Sequence, residues 1–163
     1  MILSICIPTY NRVDNLVENI EKIIFEIKKY NLDKIKVHIS NNSSLDDTQK
    51  VIEKYIKKYP NLISLTNQKF NVGPDANFFS ALFLSDGDYK WLLGDDDIIE
   101  DGGLLYVYNN IINSSPDIIW LNHSKFFPKL NRNYTFCDRA NSRTEDLVFN
   151  NKNRLGFVNV IST

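Results

Sequence analysis

The feature that most restricts the fold is an alternation: five short β-type runs, at residues 3–7, 35–40, 62–66, 89–93 and 117–121, are separated by four segments of helical spacing. Parallel neighbours need a helix-sized connection, so this pattern predicts a mostly parallel sheet with right-handed crossovers. The first run, Leu3-Ser4-Ile5-Cys6-Ile7, suits a strand covered on both faces. After it, Leu16, Ile20, Ile23, Ile24, Ile27 and Tyr30 recur at three- and four-residue intervals and place one apolar stripe on a helix, whose start Asn15 and Glu18 are expected to cap. A second helix is predicted over residues 47–59 with Val51, Ile52, Tyr55 and Ile56 inward, a third from Pro74 to about residue 84, and a fourth over about residues 102–113.

Beyond residue 122 the regularity fades. Phe126-Phe127 and Tyr134-Thr135-Phe136 flank a polar, Pro-containing stretch that predicts a hairpin, and residues 144–150 predict a short helix. The run from Gly156 to Thr163 is apolar and has the character of an unfinished strand, which predicts that the C-terminal part is truncated. A chain of 163 residues can bury one substantial core and not two, so one domain is expected.

Charge and cysteine usage exclude several classes. Lys plus Arg number 19 against 20 Asp plus Glu, a formal charge of -1, which leaves no basic field for nucleic acid. The apolar start lacks a basic leader and stops at Pro8, so neither a signal peptide nor a membrane span is predicted there, and the domain is expected to face the cytosol. Cys6 and Cys137 have no metal-ligand spacing and read as reduced thiols. Asn-x-Ser/Thr triplets, as at Asn122 and Asn133, arise by chance in so Asn-rich a chain. His38 and His123 lack ligand spacing and read as structural or exposed, and Tyr106, Tyr108, Phe78 and Phe79 read as packing residues on helices.

The unusual residues gather on one edge. In open parallel sheets ligands bind at the carboxyl ends of the strands, where loops and helix N-termini converge. Thr9-Tyr10-Asn11-Arg12, Asn41-Asn42-Ser43-Ser44, Asn71-Val72-Gly73 and Gly94-Asp95-Asp96-Asp97 each follow one of the first four strands. The acidic triplet is the sharpest element, because adjacent carboxylates repel unless a cation neutralises them, and carboxylates select hard ions such as Mg²⁺ or Mn²⁺. Taken alone, the triplet reads equally well as a solvated turn that caps the next helix; four polar loops on one edge favour a ligand site.

These segments carry a resemblance. Ser-Ile-Cys-Ile-Pro-Thr-Tyr-Asn-Arg at residues 4–12, Ile-Ser-Asn-Asn-Ser-Ser at 39–44, Asn-Val-Gly-Pro-Asp-Ala-Asn at 71–77 and Trp-Leu-Leu-Gly-Asp-Asp-Asp at 91–97 resemble the ordered motifs of family-2 GT-A glycosyltransferases. The resemblance implies an α/β GT-A (Rossmann-like) fold, with residues 1–122 as the nucleotide-sugar-binding core and 123–163 as the start of an acceptor-side region. It places Pro8, Thr9, Tyr10 and Arg12 beside base and ribose, with Asn71, Gly73 and Asn77 also lining the donor site. Asn41 stands where the family commonly has an Asp that contacts the base, and an amide that also donates is a different partner from a carboxylate. The family's Asp-x-Asp metal motif can be registered in two ways, one of which puts Gly94 in its first position. With Gly94 in that position Asp96 is the expected metal ligand, with Asp97 assisting and Asp95 near metal, ribose or sugar.

The activity implied is transfer of a sugar from a nucleotide-diphosphate sugar, with a UDP-sugar the expected donor, to a hydroxyl of a saccharide or lipid-linked acceptor. Inversion at the anomeric carbon and Mn²⁺ or Mg²⁺ as cofactor are expected with it. The resemblance further implies surface polysaccharide or glycolipid synthesis, with peripheral association at the cytosolic face of a membrane. Asp146 and Glu145 are the acidic pair placed to serve as catalytic base, an assignment that competes with a plain helix-start pair, and Asp138 is a weaker candidate. In the family the base often stands farther from the metal motif than this pair does, so a base beyond Thr163 is the competing expectation. A non-catalytic nucleotide-sugar-binding module is the alternative from another class. A receiver-type or phosphatase domain would need an Asp nucleophile after the first strand, and a dinucleotide oxidoreductase would need Gly-x-Gly-x-x-Gly there; this chain has Pro-Thr-Tyr.

Overall fold

The computed structural model describes residues 2–121, and beyond them the backbone of four strands at 123–127, 132–136, 147–149 and 157–159. The first half alternates as the sequence predicts: β1 (Leu3–Thr9), α1 (Val13–Lys29), β2 (Ile35–Asn41), α2 (Thr48–Lys58), β3 (Ile63–Asn67), α3 (Pro74–Phe83), β4 (Tyr89–Leu92), α4 (Gly103–Ser114) and β5 (Ile118–Trp120). After these come β6 (His123–Phe127), β7 (Arg132–Phe136), β8 (Leu147–Phe149) and β9 (Phe157–Asn159).

Among the described residues the strands form a seven-stranded sheet, ordered β3-β2-β1-β4-β9-β5-β8, and a separate β6-β7 pair. Strands β1 to β4 are mutually parallel where they pair, and β9 runs parallel to both β4 and β5. Strand β8 pairs antiparallel with β5, and β6 with β7 as the expected hairpin. The strand order reverses at β1, so the crevice over the carboxyl ends of β1 and β4 is the topological switch point, where such sheets bind ligands.

Every residue of β1 is buried, as a strand covered on both faces requires. Its Leu3, Ile5 and Ile7 meet Leu16, Ile20 and Ile23 of α1 in one core cluster, each such side chain contributing roughly 1.5–3 kcal/mol by leaving water. Helix α3 packs across β1, β2 and β4, α2 against β3, and α1 against α4. Glu26, fully buried, accepts from the Gly102 backbone N–H at 2.9 Å and pairs with Lys22 at 3.4 Å, so a buried charge fastens the start of α4 to α1. Cys6 is buried and donates to Ser85 Oγ, and burial pushes its thiol pKa up to about 11. His38 is a core residue held by Ser64 Oγ at 2.9 Å, its pKa lowered by burial.

Several expectations need correction. Asn15 and Glu18 do not cap α1: the helix begins at Val13, whose N–H donates to Asp46 Oδ2 at 3.2 Å, a cap supplied by the loop before α2. Residues 147–149 of the predicted short helix form strand β8, whose backbone pairs antiparallel with Ile118–Trp120. Phe78 and Phe79 are 43% and 59% exposed, because the buried face of α3 passes through Asn77 and Ala81 instead. Tyr106 is likewise exposed, whereas Tyr108 is buried and donates to Asp33. Cys137, Asp138, Glu145, Asp146 and Thr163 lie outside the described residues. Both expectations for the catalytic base, the Glu145–Asp146 pair and a carboxylate beyond Thr163, therefore fall outside the described part of the fold.

Candidate functional site

The register of the sheet sets the site. Thr9, Asn41 and Asn67 are the last residues of β1, β2 and β3 and stand side by side across the sheet. The first loop turns at Asn11, whose φ of 54° lies in the left-handed region that Asn tolerates. Asn11 and the second loop hold each other: its N–H donates to Ser44 Oγ at 3.0 Å and its Oδ1 accepts from Leu45 N at 2.7 Å. Pro8 is buried in β1, whereas Tyr10 and Arg12 project from the loop, Tyr10 at 39% exposure.

Buried amides tie the second loop to the third. Asn42 donates to Asn71 Oδ1 at 3.0 Å and accepts from Val72 N at 2.8 Å, while Asn71 Oδ1 also accepts from Gly73 N at 2.9 Å. Gly73 has φ 86°, a conformation that disfavours a side chain, and Pro74 then opens α3 at its first turn. Asn77, one turn into α3, donates to Ser40 O at 3.0 Å and to Thr9 O at 3.5 Å, and accepts from Ser40 Oγ at 2.7 Å. One buried side chain thus holds the ends of β1 and β2 to the helix. Asn41 donates to Asn67 Oδ1 at 2.9 Å and accepts from Ser44 N at 3.1 Å.

The acidic loop after β4 is organised around Arg12. Asp95, only 6% exposed, accepts from Thr9 Oγ1 at 2.8 Å and from Arg12 Nη1 at 3.1 Å. The same Nη1 lies 2.7 Å from Asp96 Oδ2. Burial raises the Asp95 pKa, against the opposing pull of the Thr9 hydrogen bond and the Arg12 charge, while Asp95 and then Asp96 hold the guanidinium firmly protonated. Asp97 turns back, its Oδ2 accepting from Gly94 N at 3.0 Å. Asn19, fully buried on α1, donates to Gly94 O at 2.9 Å and fixes the loop from below. The repulsion expected within the triplet is therefore relieved in this structure by one guanidinium and one backbone N–H.

The donor set still fits a hard divalent ion in kind. A Cβ at Gly94 would lie 2.7 Å from Asp97 Oδ2 and 3.1 Å from Asp96 Oδ1, so the absent side chain keeps open a niche that two carboxylate oxygens face. Among the described residues no three His, Cys, Asp or Glu side chains are grouped to hold a metal ion, and Asp95 points to Thr9 and Arg12.

The structure brings Pro8, Thr9, Tyr10, Arg12, Asn41, Asn71, Gly73, Asn77 and the Asp95–Asp97 loop to one edge. The sequence reading missed Asn19, Ser40, Asp46 and Asn67, which brace that edge. For Asn19 a signal existed: a polar residue three positions after Leu16, on the apolar stripe of α1.

Comparison with known proteins agrees with this layout. Residues 4–157 match the family model described as Glycosyl transferase family 2. The chain is 35% identical over 161 residues to the abequosyltransferase RfbV of Salmonella typhimurium, covering 93% of this chain and 45% of that protein. It is 30% identical over 102 residues to the GalNAc(5)-diNAcBac-PP-undecaprenol beta-1,3-glucosyltransferase of Campylobacter jejuni, covering 63% of this chain and 32% of that one. The chain thus spans less than half the length of these relatives. Among solved structures, S. aureus TarS 1-349 in complex with UDP superposes with a TM-score of 0.63 at 24% identity, over 74% of this chain and 35% of that 1-349 chain. The mannosyltransferase PcManGT from Pyrobaculum calidifontis, in complex with GDP-Man and Mn²⁺, gives 0.64 at 17% identity over 76% and 35%. These two likenesses bear on the fold, which is the α/β GT-A arrangement. With the family match spanning most of its length, the chain belongs to glycosyl transferase family 2.

Proposed function

We propose that the edge over β1 to β4 is the donor site of a glycosyltransferase, which binds a nucleotide-diphosphate sugar and passes the sugar, with inversion, to a hydroxyl of a saccharide or lipid-linked acceptor in polysaccharide or glycolipid synthesis. The observation that carries the proposal is the convergence of four polar loops, cross-linked by side-chain hydrogen bonds, on the switch point between β1 and β4. The family's relatives include named sugar transferases, and two proteins with the same fold bind UDP and GDP-Man.

In this reading Asp96 and Asp97, beside Gly94, would hold Mn²⁺ or Mg²⁺, which would supply positive charge to offset that of a departing diphosphate. An ion there would compete with Arg12 for Asp96, and both of these side chains are half exposed, so Asp96 could change partner without repacking. Thr9 and Arg12 keep the buried Asp95 in place for ribose or sugar hydroxyls. The acceptor hydroxyl loses its proton to a carboxylate as it attacks the oxocarbenium-like centre from the face opposite the leaving group. Glu145 and Asp146 are the proposed bases. Supporting them, Leu147, the next residue, pairs with Trp120 at the carboxyl end of β5, the same edge of the sheet as the acidic loop. Peripheral membrane association at the cytosolic face accords with a lipid-linked acceptor, and no helix among the described residues is long and apolar enough to cross a membrane.

The test is calorimetric titration of UDP, GDP, CDP and ADP into the protein, each with Mn²⁺ and then with EDTA. Binding of at least one diphosphate that chelator abolishes is the expected outcome. Absence of binding by all four refutes the donor-site reading, and binding indifferent to EDTA refutes the metal assignment alone.

A further inference from the structure

We infer that Asn19 of α1 is a positioning residue for the acidic loop, which it holds in place although its own burial lowers the stability of the fold; this rests on the metal assignment proposed above. Asn19 is fully buried on the apolar stripe of α1, next to the core residues Leu16, Ile20 and Ile23. An amide at such a place is costly unless both of its polar atoms find partners. Only one does. Asn19 Nδ2 donates to Gly94 O at 2.9 Å, whereas no donor among the described residues reaches Asn19 Oδ1. A carbonyl can only accept, so the main chain dictates which end of the amide faces Gly94, and the oxygen is the end left over.

Gly94 O does not depend on this donor for its own satisfaction. It also accepts from Asp97 N at 3.2 Å, while Gly94 N donates to Asp97 Oδ2 at 3.0 Å. The Gly94–Asp97 turn therefore closes on itself. What the Asn19 bond adds is attachment, because it joins this turn to a packed helix.

The attachment falls where the loop needs it. A Cβ at Gly94 would lie 2.7 Å from Asp97 Oδ2, so this position stays bare. A bare position is also the one with the most conformational freedom. The planar peptide between Gly94 and Asp95 couples the carbonyl held by Asn19 to the Asp95 N–H, and so sets the direction in which the chain enters Asp95–Asp97. Asp96 and Asp97, the proposed ligands, follow directly. Groups that orient ligands without touching the ion are worth about 10–100-fold in metal affinity. An ordinary core residue would raise stability and leave that affinity alone; Asn19 is built to do the reverse.

The experiment compares the wild-type chain with Asn19→Leu, whose side chain branches at the same carbon but neither donates nor accepts. Free Mn²⁺ is counted by electron paramagnetic resonance as the ion is titrated in, and melting temperatures are read by circular dichroism on the same samples. Asp96→Ala identifies the ion beside Gly94. Asn19→Leu should bind Mn²⁺ about tenfold more weakly, while melting at the wild-type temperature or a few degrees above it, since Gly94 O keeps its Asp97 partner and the unpaired oxygen is gone. Unchanged Mn²⁺ affinity in a folded Asn19→Leu overturns the inference, and so does a fall in affinity and melting temperature together, which a loosened core would give. In both of those cases the metal assignment stands. Absence of Mn²⁺ binding by the wild type, or binding that survives Asp96→Ala, overturns the metal assignment and the inference with it. If Asn19→Leu does not fold, Asn19→Ala is set against Ile23→Val, a cavity one turn farther along the same helix. Weaker Mn²⁺ binding in the first alone supports the inference, and equal binding by the two overturns it.

Discussion

Along the carboxyl edge of the sheet, the side over β2 and β3 is built from neutral amides, whereas the side over β1 and β4 is built from charges. Asn41, Asn42 and Asn77 are buried and spend their hydrogen bonds on backbone and on the side chains of Asn67, Asn71 and Ser40. Arg12 and Asp96 are half exposed in an ion pair, a class of contact worth about 0–1 kcal/mol. The amides fix where the loops go and would be missed as structure; the charges contribute little to the fold and are available to change partner when a ligand arrives.

The sharpest way to break this contrast is to remove a charge. Asp96→Ala should abolish Mn²⁺-dependent nucleotide binding while the melting temperature stays where it was, as measured by calorimetry and circular dichroism on the same sample. Removing an amide should do the opposite. Asn77→Ala removes both of its bonds to Ser40 and the longer of two to Thr9 O, and should cost about 2–3 kcal/mol in a urea titration, with the metal requirement of residual binding unchanged.

Arg12→Ala refines the comparison, because a guanidinium and a metal ion compete for Asp96. Without nucleotide, this variant should bind Mn²⁺ several-fold more tightly than the wild type, whereas its nucleotide affinity should fall; weaker Mn²⁺ binding would show that Arg12 supports the ion instead of standing in for it. Acidity offers a milder probe. Burial raises the Asp95 pKa, so the folded state takes up this proton more readily than the unfolded chain. Its contribution to stability is therefore present at low pH and lost as pH rises through the raised value. Asp95→Asn should flatten that part of the stability-against-pH curve. The smallest effect is chemical: with its thiol pKa at about 11 and its side chain buried, Cys6 should stay unalkylated by iodoacetamide at neutral pH until the protein is unfolded, as read by peptide mass spectrometry.

The contrast also explains what the sequence discloses. Continuous apolar runs and three-and-four spacing locate β1 to β5 and α1 to α4 within a residue or two, except for the start of α1, because each is a local pattern. The loops of the site follow, since they are whatever polar residues come after those runs. Partners across long separations leave no local trace: the cap of α1 comes from Asp46 in another loop, and the counter-ion of Asp95 and Asp96 is Arg12, far away in sequence. Three-residue strands are too short to show a period, so β8 reads as helix, and nothing local tells β9 to enter the sheet between β4 and β5. Phe78 and Phe79 mislead for a simpler reason: large apolar residues suggest a buried helix face, and α3 buries the small Ala81 and the polar Asn77.

The most direct test of the central claim is crystallographic. Crystals grown with Mn²⁺ and the best-binding nucleoside diphosphate should give an anomalous difference peak beside Gly94, coordinated by Asp96, with the diphosphate over the carboxyl ends of β1 and β4 and Arg12 withdrawn from Asp96. A peak elsewhere on the molecule, or a nucleotide bound away from this edge, would contradict the account.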